Sequence, residues 1–161
     1  MNLFTGEAAD AFFGGEVTPA VRGLLHQAAA AGPDDRGSLL WTAQALAPDC
    51  LAVYYALYKH HAGRREFELA ERAAFRGLQE AAAHCGIDDE GRPRPGMPAP
   101  DFVSDGPARF WLFTLKALAF VNLRSGRAER ARMFLERIER LGPEARIGDE
   151  VISALLKAAR P

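Results

Sequence analysis

The chain has 161 residues, a formal net charge of −1, and a hydrophobic content of 48% against 25% charged residues. This composition is typical of a soluble globular protein that is long enough to bury a core. The near-zero charge excludes a global electrostatic field that would draw the chain to nucleic acid or to an anionic membrane.

The sequence also predicts a compartment. No apolar run approaches the roughly 20 residues that are needed to span a bilayer. The first ten residues, MNLFTGEAAD, lack the basic start and apolar centre of a signal peptide. Two cysteines, Cys50 and Cys85, are too few for a disulfide scaffold. We therefore expect a cytoplasmic protein of bacterial type with reduced thiols.

The first predicted helices lie between residues 5 and 47. A short helix is expected over 5–13. Thr18 followed by Pro19 gives a second helix start, because Thr caps a first turn and Pro has the backbone angle of the first helical position. This helix should run to Ala31, and another is expected over 35–47.

The next helix pair is predicted from Asp49 onward. Asp49 is expected to cap a helix over 50–62, and the partner helix should span 66–84 and end at Gly86. The residues expected to pack between these helices are Tyr54, Leu57, Tyr58, His61, Ala70 and Ala74.

Segment 86–107 is predicted to be irregular. It holds half of the chain's ten prolines, and proline cannot donate a backbone hydrogen bond. A connection of this length inside a compact domain is either functional or a tolerated surface insertion, and the insertion is favoured over a binding lid. Phe102 and Val103 are expected to anchor its end, and Ser104 or Asp105 to cap the next helix.

The stretch 110–143 organises the chain. Its first helix runs to about Arg124 and is apolar on most of its circumference, so it should lie between packed neighbours. A tight turn at Gly126 leads to a second helix with one buried side, which Gly142 and Pro143 end. The expected buried residues of that second helix are Ala131, Phe134, Leu135, Ile138 and Leu141.

This layout resembles the tetratricopeptide repeat, a helix-turn-helix unit of 34 residues. Counted from Leu112, the apolar, small, turn and closing positions of that family are filled by Leu115, Leu118, Ala119, Gly126, Ala131 and Pro143. Asn122 and Ile138 depart from the family pattern. In the preceding unit the turn glycine, Gly63, comes too early, and in the first unit Gly23 and Arg36 fit poorly.

The resemblance implies an all-α, right-handed superhelix of antiparallel helix pairs in one domain, 1–161. Its parts would be a degenerate repeat at 17–50, a repeat at 51–85, the Pro/Gly-rich loop at 86–107, a repeat at 108–143 and a capping helix at 144–161. A helix over about 149–159 is expected in this last part, because the end of a repeat array exposes an apolar face that needs a cover.

A candidate site follows from the same resemblance, since the first helices of tetratricopeptide units line a groove that commonly holds a partner's peptide. The implied groove residues are Tyr55, Lys59, Arg109, Phe113, Lys116, Phe120 and Arg124. At 100° per residue along a helix, five of them fall in one narrow sector: Arg109, Phe113, Lys116, Phe120 and Arg124. Aromatic and cationic groups together suit an acidic or C-terminal carboxylate-bearing segment. An alternative stays open, in which Lys116 and Arg124 only extend their stems over the aromatic rings to reach water.

Histidine and cysteine spacing does not predict a metal site. His60 and His61 point about 100° apart on a helix, so they cannot easily share one ion. No C-x-x-C or H-x-x-x-H spacing is present. We expect no metal and no cofactor, and we interpret these histidines and cysteines as core or surface residues.

The remaining motifs predict neither nucleic-acid binding nor catalysis. The arginines of 126–140 alternate with Glu129, Glu136 and Glu139, which is typical of a solvated helix face. No glycine-rich phosphate loop, nucleophile elbow or Ser-His-Asp order is present. An enzyme is therefore not expected.

The sequence thus favours a non-enzymatic interaction module, an adaptor or accessory protein for a protein or peptide. The stretches LAPDCLAVYYALYKHH and GPARFWLFTLKALAFVNLRSG also resemble short tetratricopeptide proteins that accompany bacterial nitrogen-fixation genes, which implies an accessory role there. Secretion chaperones of three repeats are a further interaction-class alternative, and a homodimer is compatible with such an array. The alternative from another class is a small-ligand or metal-binding protein that uses the space under the loop 86–107.

Overall fold

The computed structural model describes residues 16–142, and this part of the chain contains six α-helices and no strand. The predicted all-α class is confirmed. The helices are α1 (Pro19–Ala30), α2 (Pro33–Leu46), α3 (Leu51–Gly63), α4 (Phe67–Cys85), α5 (Gly106–Arg124) and α6 (Ala128–Glu139). The predicted helix over 5–13, the closing Pro143 and the capping helix over 144–161 lie outside the described residues.

Each helix packs against the next one along the chain, and α3 also contacts α5. Short connections join α1 to α2, α3 to α4 and α5 to α6, and short connections of this kind make helical hairpins. Three consecutive hairpins therefore stack, with the first helices of the second and third hairpins in contact. None of the helices within 16–142 has both the length and the apolar character that crossing a membrane requires.

Local capping explains most of the helix ends. The Thr18 hydroxyl accepts from the Val21 amide at 3.4 Å, and the Asp105 carboxylate accepts from the Ala108 amide at 3.0 Å, so both predicted caps are present. The predicted cap at Asp49 is wrong. The helix α3 begins at Leu51, so its cap position is Cys50, which makes no side-chain cap bond. The helix α2 begins at Pro33, two residues before the predicted start at 35, because proline is well tolerated in the first turn of a helix.

Arg36 has a structural function that the repeat pattern does not predict. Its guanidinium donates to the carbonyl oxygens of Ala28 and Ala31 at 2.9 and 3.1 Å. The last carbonyls of a helix have no partner inside the helix, and a basic side chain satisfies them. Arg36 therefore fastens the end of α1 to the start of α2.

Close approach of helices in the core depends on Gly77 of α4. A Cβ atom at this position would lie 2.9 Å from Tyr54 Cβ and 3.0 Å from Phe110 Cε1. The glycine thus lets α4 contact both α3 and α5. The residues predicted to pack between α3 and α4 are all buried: Tyr54, Leu57, Tyr58, His61, Ala70 and Ala74.

The loop between α4 and α5 is held by buried anchors. Ile87 is fully buried and forms an isolated antiparallel bridge with Pro93. Gly91, at φ +82°, packs so closely on Trp111 and Leu141 that a Cβ atom would meet both within 3 Å. Phe102 anchors the loop end as predicted, and its tilted ring lies 5.9 Å from that of Trp111 between centroids, whereas Val103 is 58% exposed and is not an anchor.

Candidate functional site

An aromatic contact between α3 and α5 joins the two helices that were predicted to line the groove. The rings of Tyr55 and Phe113 lie 5.2 Å apart, and Tyr58 meets Phe113 edge-on at 6.1 Å. Tyr55 and Phe113 are half-buried, so part of each ring faces outward. Sequence reasoning assigned Tyr58 to packing, and it is indeed buried, but it also supports the ring of Phe113 from behind.

Cationic side chains flank these rings. Lys59 Nζ lies 5.7 Å from the ring centroid of Tyr55, and Arg124 Cζ lies 5.7 Å from that of Phe120. Lys59 and Arg124 are exposed. Each is within the range of a cation–π interaction, worth about 0.5–1 kcal/mol at an exposed site. In Arg124 it is the guanidinium group itself that lies near the Phe120 ring, and the side chain remains exposed.

The predicted site residues fall on two helices. Tyr55 and Lys59 lie on α3, and the other five lie on α5: Arg109, Phe113, Lys116, Phe120 and Arg124. The structure brings Tyr55, Lys59 and Phe113 together, and it makes Phe120 with Arg124 a second pair. Arg109 and Lys116 are half-buried on α5. We call these seven residues the aromatic–basic surface.

The tyrosine hydroxyls near this surface are hydrogen-bond donors at neutral pH. Burial raises the pKa of Tyr55 above its usual value. The pKa of Tyr58 is raised to about 12, mainly by burial and to a smaller extent by the neighbouring Tyr55. Neutral phenols with nearby cations can donate to carboxylate oxygens, while the ring faces accept flat apolar contacts.

A second cluster of chemically active side chains lies at the C-terminal end of α3, directly after Lys59 in the chain. His60, His61 and Glu66 each offer a ligand atom within 4.8 Å of the others, so adjacent histidines do converge here, which helical geometry alone did not suggest. His60 and His61 are buried, and their rings lie 4.8 Å apart, edge to face. Gly37 makes room for them, since a Cβ atom there would lie 3.1 Å from His60 Nε2.

Hydrogen bonds fix the protonation of His61. The Trp41 indole N–H donates to His61 Nε2 at 3.0 Å, and His61 Nδ1 lies 3.1 Å from Glu66 Oε1. Because an indole can only donate, Nε2 carries the lone pair and Nδ1 carries the proton that Glu66 accepts. Glu66 also accepts from Arg64 Nε at 3.0 Å, and Arg64 reaches Asp34 at 3.1 Å.

This hydrogen-bond pattern does not fit a metal centre. A neutral imidazole has one lone pair, and Trp41 already uses that of His61. A bound cation would also lie near the positive charges of Arg36 and Arg64. The pKa of His60 is lowered first by burial, then by the neighbouring His61, and then by these two arginines. The cluster is therefore better suited to holding or losing a proton than to coordinating an ion.

The arginines of α6 are paired with carboxylates from other elements. Arg127 and Arg130 reach the nearly buried Glu71 of α4 at 2.7 and 2.5 Å. Arg137 and Arg140 each lie 3.8 Å from Glu90 of the loop. Within α6, Glu129 pairs with Arg132. The arginine charges are therefore balanced by carboxylates as predicted, but most of these carboxylates belong to α4 or to the loop and not to α6 itself.

A cavity of about 230 Å³ lies at the start of α3. Its lining residues are Glu16, Val17, Asp49, Cys50, Leu51, Ala52, His84 and Pro107. Only Pro107 belongs to the loop that the alternative hypothesis invoked. The inner side of that loop is filled by Ile87 and by the contact of Phe102 with Trp111.

Comparisons with protein-family models, curated proteins and solved structures give no match to this chain. The functional interpretation therefore depends on the geometry of the described residues.

Proposed function

We propose that the protein is a non-enzymatic, tetratricopeptide-like interaction module whose stacked hairpins form a right-handed superhelix. Its aromatic–basic surface binds an acidic or carboxylate-terminated segment of a partner protein. The observation that carries this proposal is the ring contact between Tyr55 and Phe113, because it places a predicted groove residue of α3 against a predicted groove residue of α5.

Charge and burial support this partner chemistry. The surface has exposed cations at Lys59 and Arg124, and its aromatic rings Tyr55, Phe113 and Phe120 are half-buried. A carboxylate near a cation gains a charge-assisted hydrogen bond, and aromatic rings add contact area at low entropic cost. A role as accessory to nitrogen fixation would specify the partner further, and this remains a hypothesis based on sequence resemblance.

The test is affinity purification from the native cell extract, read by mass spectrometry, with wild type and Lys59→Glu/Arg124→Glu side by side. Both side chains are exposed, so the fold should tolerate the change. The matched control is Arg72→Glu/Arg94→Glu, which makes the same charge change at exposed residues outside α3 and α5. Circular dichroism checks that all three proteins keep equal helical content.

We expect a partner that wild type and the control retain and that the Lys59/Arg124 variant loses. A synthetic peptide from that partner should bind with its free carboxylate or acidic residues and weaken at high salt, since exposed charges are screened. Equal retention by all three proteins would exclude the aromatic–basic surface. An extract in which wild type enriches no protein would favour the small-ligand alternative, with the cavity at Cys50 as the next target.

A further inference from the structure

Two buried histidines, His60 and His61, lie at the junction between α2 and α3. His60 and His61 lie on the last turns of α3, below Gly37 and Trp41 of α2. Trp41 is half-buried, and its ring lies 6.0 Å from that of His61. The same tryptophan thus packs on His61 and donates a hydrogen bond to it.

The contact between Trp41 and His61 requires a neutral imidazole. If His61 took up a proton, both ring nitrogens would be donors, and Nε2–H would face the indole N–H of Trp41 at hydrogen-bond distance. Glu66 could still accept from Nδ1, so the bond to the turn after α3 would survive. Protonation of His61 would therefore break its hydrogen bond with Trp41 of α2 and keep its hydrogen bond with Glu66 in the second hairpin.

His60 makes protonation of the pair more costly. Burial lowers the pKa of His60, and the neighbouring His61, Arg36 and Arg64 lower it further, against an opposing effect of Glu66. A histidine whose pKa is lower in the folded state stabilises that state above its ordinary pKa of about 6.5, and the stabilisation is lost as the pH falls below it. Acid therefore weakens the packing at this junction.

Charged groups act on the pair from α2 and from the turn after α3: Arg36, Arg64 and Glu66 influence His60, and Arg64 also holds Asp34. From α4, the Arg76 guanidinium lies 6.0 Å from the Trp41 ring, whereas the ammonium of Lys59 on α3 lies over Tyr55. Arg64 bridges Glu66 and Asp34 and so ties the turn to the start of α2. Within this set, histidine is the residue type whose ordinary pKa, about 6.5, lies closest to neutrality.

We propose that His60, His61 and Trp41 form a proton-sensitive latch, which holds the first hairpin on α3 while both imidazoles are neutral and releases it when they are protonated. The release is local, because the other hairpins are joined by contacts that contain no buried histidine in the described part of the chain. Lys59 of the aromatic–basic surface directly precedes His60, so the latch and that surface share one helix.

Two tryptophans make the test internally controlled. Trp41 lies in the latch, and Trp111 is fully buried in the third hairpin, so a ¹⁵N-labelled protein has one indole N–H signal for each region. The measurement is a pH titration of both signals from about 7.5 to 5.5, an interval that brackets the ordinary histidine pKa of about 6.5. We expect the Trp41 signal to shift or broaden with a midpoint below about 6.5 while the Trp111 signal stays in place.

Variants assign the proton. In His61→Gln the side-chain oxygen can still accept from Trp41 but cannot titrate, so the Trp41 signal should lose most of its pH dependence. His60→Gln serves as the second variant if His61→Gln does not fold, and it should also reduce the response. His84→Gln, an exposed histidine on α4, is the control and should titrate like wild type.

Three results would overturn the latch. Simultaneous loss of both indole signals would mean global acid unfolding, and a Trp41 signal that stays constant to pH 5.5 would mean that the pair does not protonate in this range. Stoichiometric binding of Zn²⁺ at about pH 7.5 that shifts Trp41 and disappears in His61→Gln would instead assign the imidazole lone pairs to a metal.

Discussion

Arg65 and Gly126 occupy the same place in the turns of two successive helix hairpins, and both have left-handed backbone angles, φ 61° and φ 82°. The Arg65 amide donates to Ala62 O at 3.1 Å, and the Gly126 amide donates to Leu123 O at 3.2 Å. The following residue in each turn closes the helix end by donating to His61 O at 2.9 Å or to Asn122 O at 2.8 Å. In the second hairpin, Arg65 therefore adopts the left-handed conformation that glycine adopts in the third hairpin.

This equivalence predicts that Arg65→Gly stabilises the protein. A left-handed angle costs an ordinary L-residue roughly 1–2 kcal/mol, and glycine avoids that cost but loses some entropy on folding. We expect a gain of about 0.5–1 kcal/mol in the free energy of unfolding, measured by urea denaturation. Gly126→Ala should lose about 1 kcal/mol, because a Cβ atom there meets no neighbour and only the backbone angle opposes it.

Arg65→Ala separates the backbone from the side chain. It keeps the strained angle and removes the guanidinium, which lies 6.0 Å from the Phe67 ring. Equal stabilisation by Ala and Gly would contradict the backbone explanation.

Gly77→Ala should destabilise the core. The added methyl group would lie 2.9 Å from Tyr54 Cβ, so α4 would have to move away from α3 and α5 at a cost of about 1–3 kcal/mol. Thermal unfolding followed by circular dichroism measures the loss. Gly23→Ala in α1 is the matched control, since no atom lies within 4 Å of its Cβ position and alanine is the better helix former by about 1 kcal/mol. If both variants moved the midpoint in the same direction, close packing at Gly77 would not be the cause.

Glu71→Gln should weaken the attachment of α6 to α4. The nearly buried carboxylate accepts from Arg130 Nε at 2.7 Å and pairs with Arg127 at 2.7 Å, and an amide can replace neither charge. The two arginines are 38% and 44% exposed, so water solvates them in part and the loss should be about 1–3 kcal/mol in urea denaturation. Glu129→Gln, which affects the exposed pair with Arg132, should cost under about 0.5 kcal/mol. Similar losses in both variants would argue against a special role for Glu71.

The protein should lose stability in alkali through its tyrosines. Burial raises the pKa values of Tyr54, Tyr55 and Tyr58, the last to about 12. A phenol whose pKa is higher in the folded state stabilises that state below about pH 10, and this contribution declines from there as the unfolded chain ionises. Phenolate absorbance should therefore rise together with loss of helicity above about pH 10. Tyr58→Phe should shift this transition upward, and a transition that stays in place would show that Tyr58 does not control it.

Sequence reasoning predicted the helices well because their determinants are local. Thr18 and Asp105 cap their own first turns, Gly86 ends α4 in a left-handed conformation, and the apolar positions of α6 repeat with helical period. The residues of the aromatic–basic surface were predicted from the resemblance to tetratricopeptide units, and their binding role stays a prediction. The contact of Tyr55 with Phe113 required the two helices to be placed side by side.

The sequence by itself determined the all-α class, most of the helix ends and most of the buried faces, because each depends on residues within a turn or two of one another. Tertiary structure alone decided that Trp41 fixes the proton of His61, that Glu71 pairs with Arg127 and Arg130, and that Ile87 anchors the loop. These contacts join residues that are distant in the chain. Their energies depend on distance and burial, which a spacing pattern along one helix does not contain.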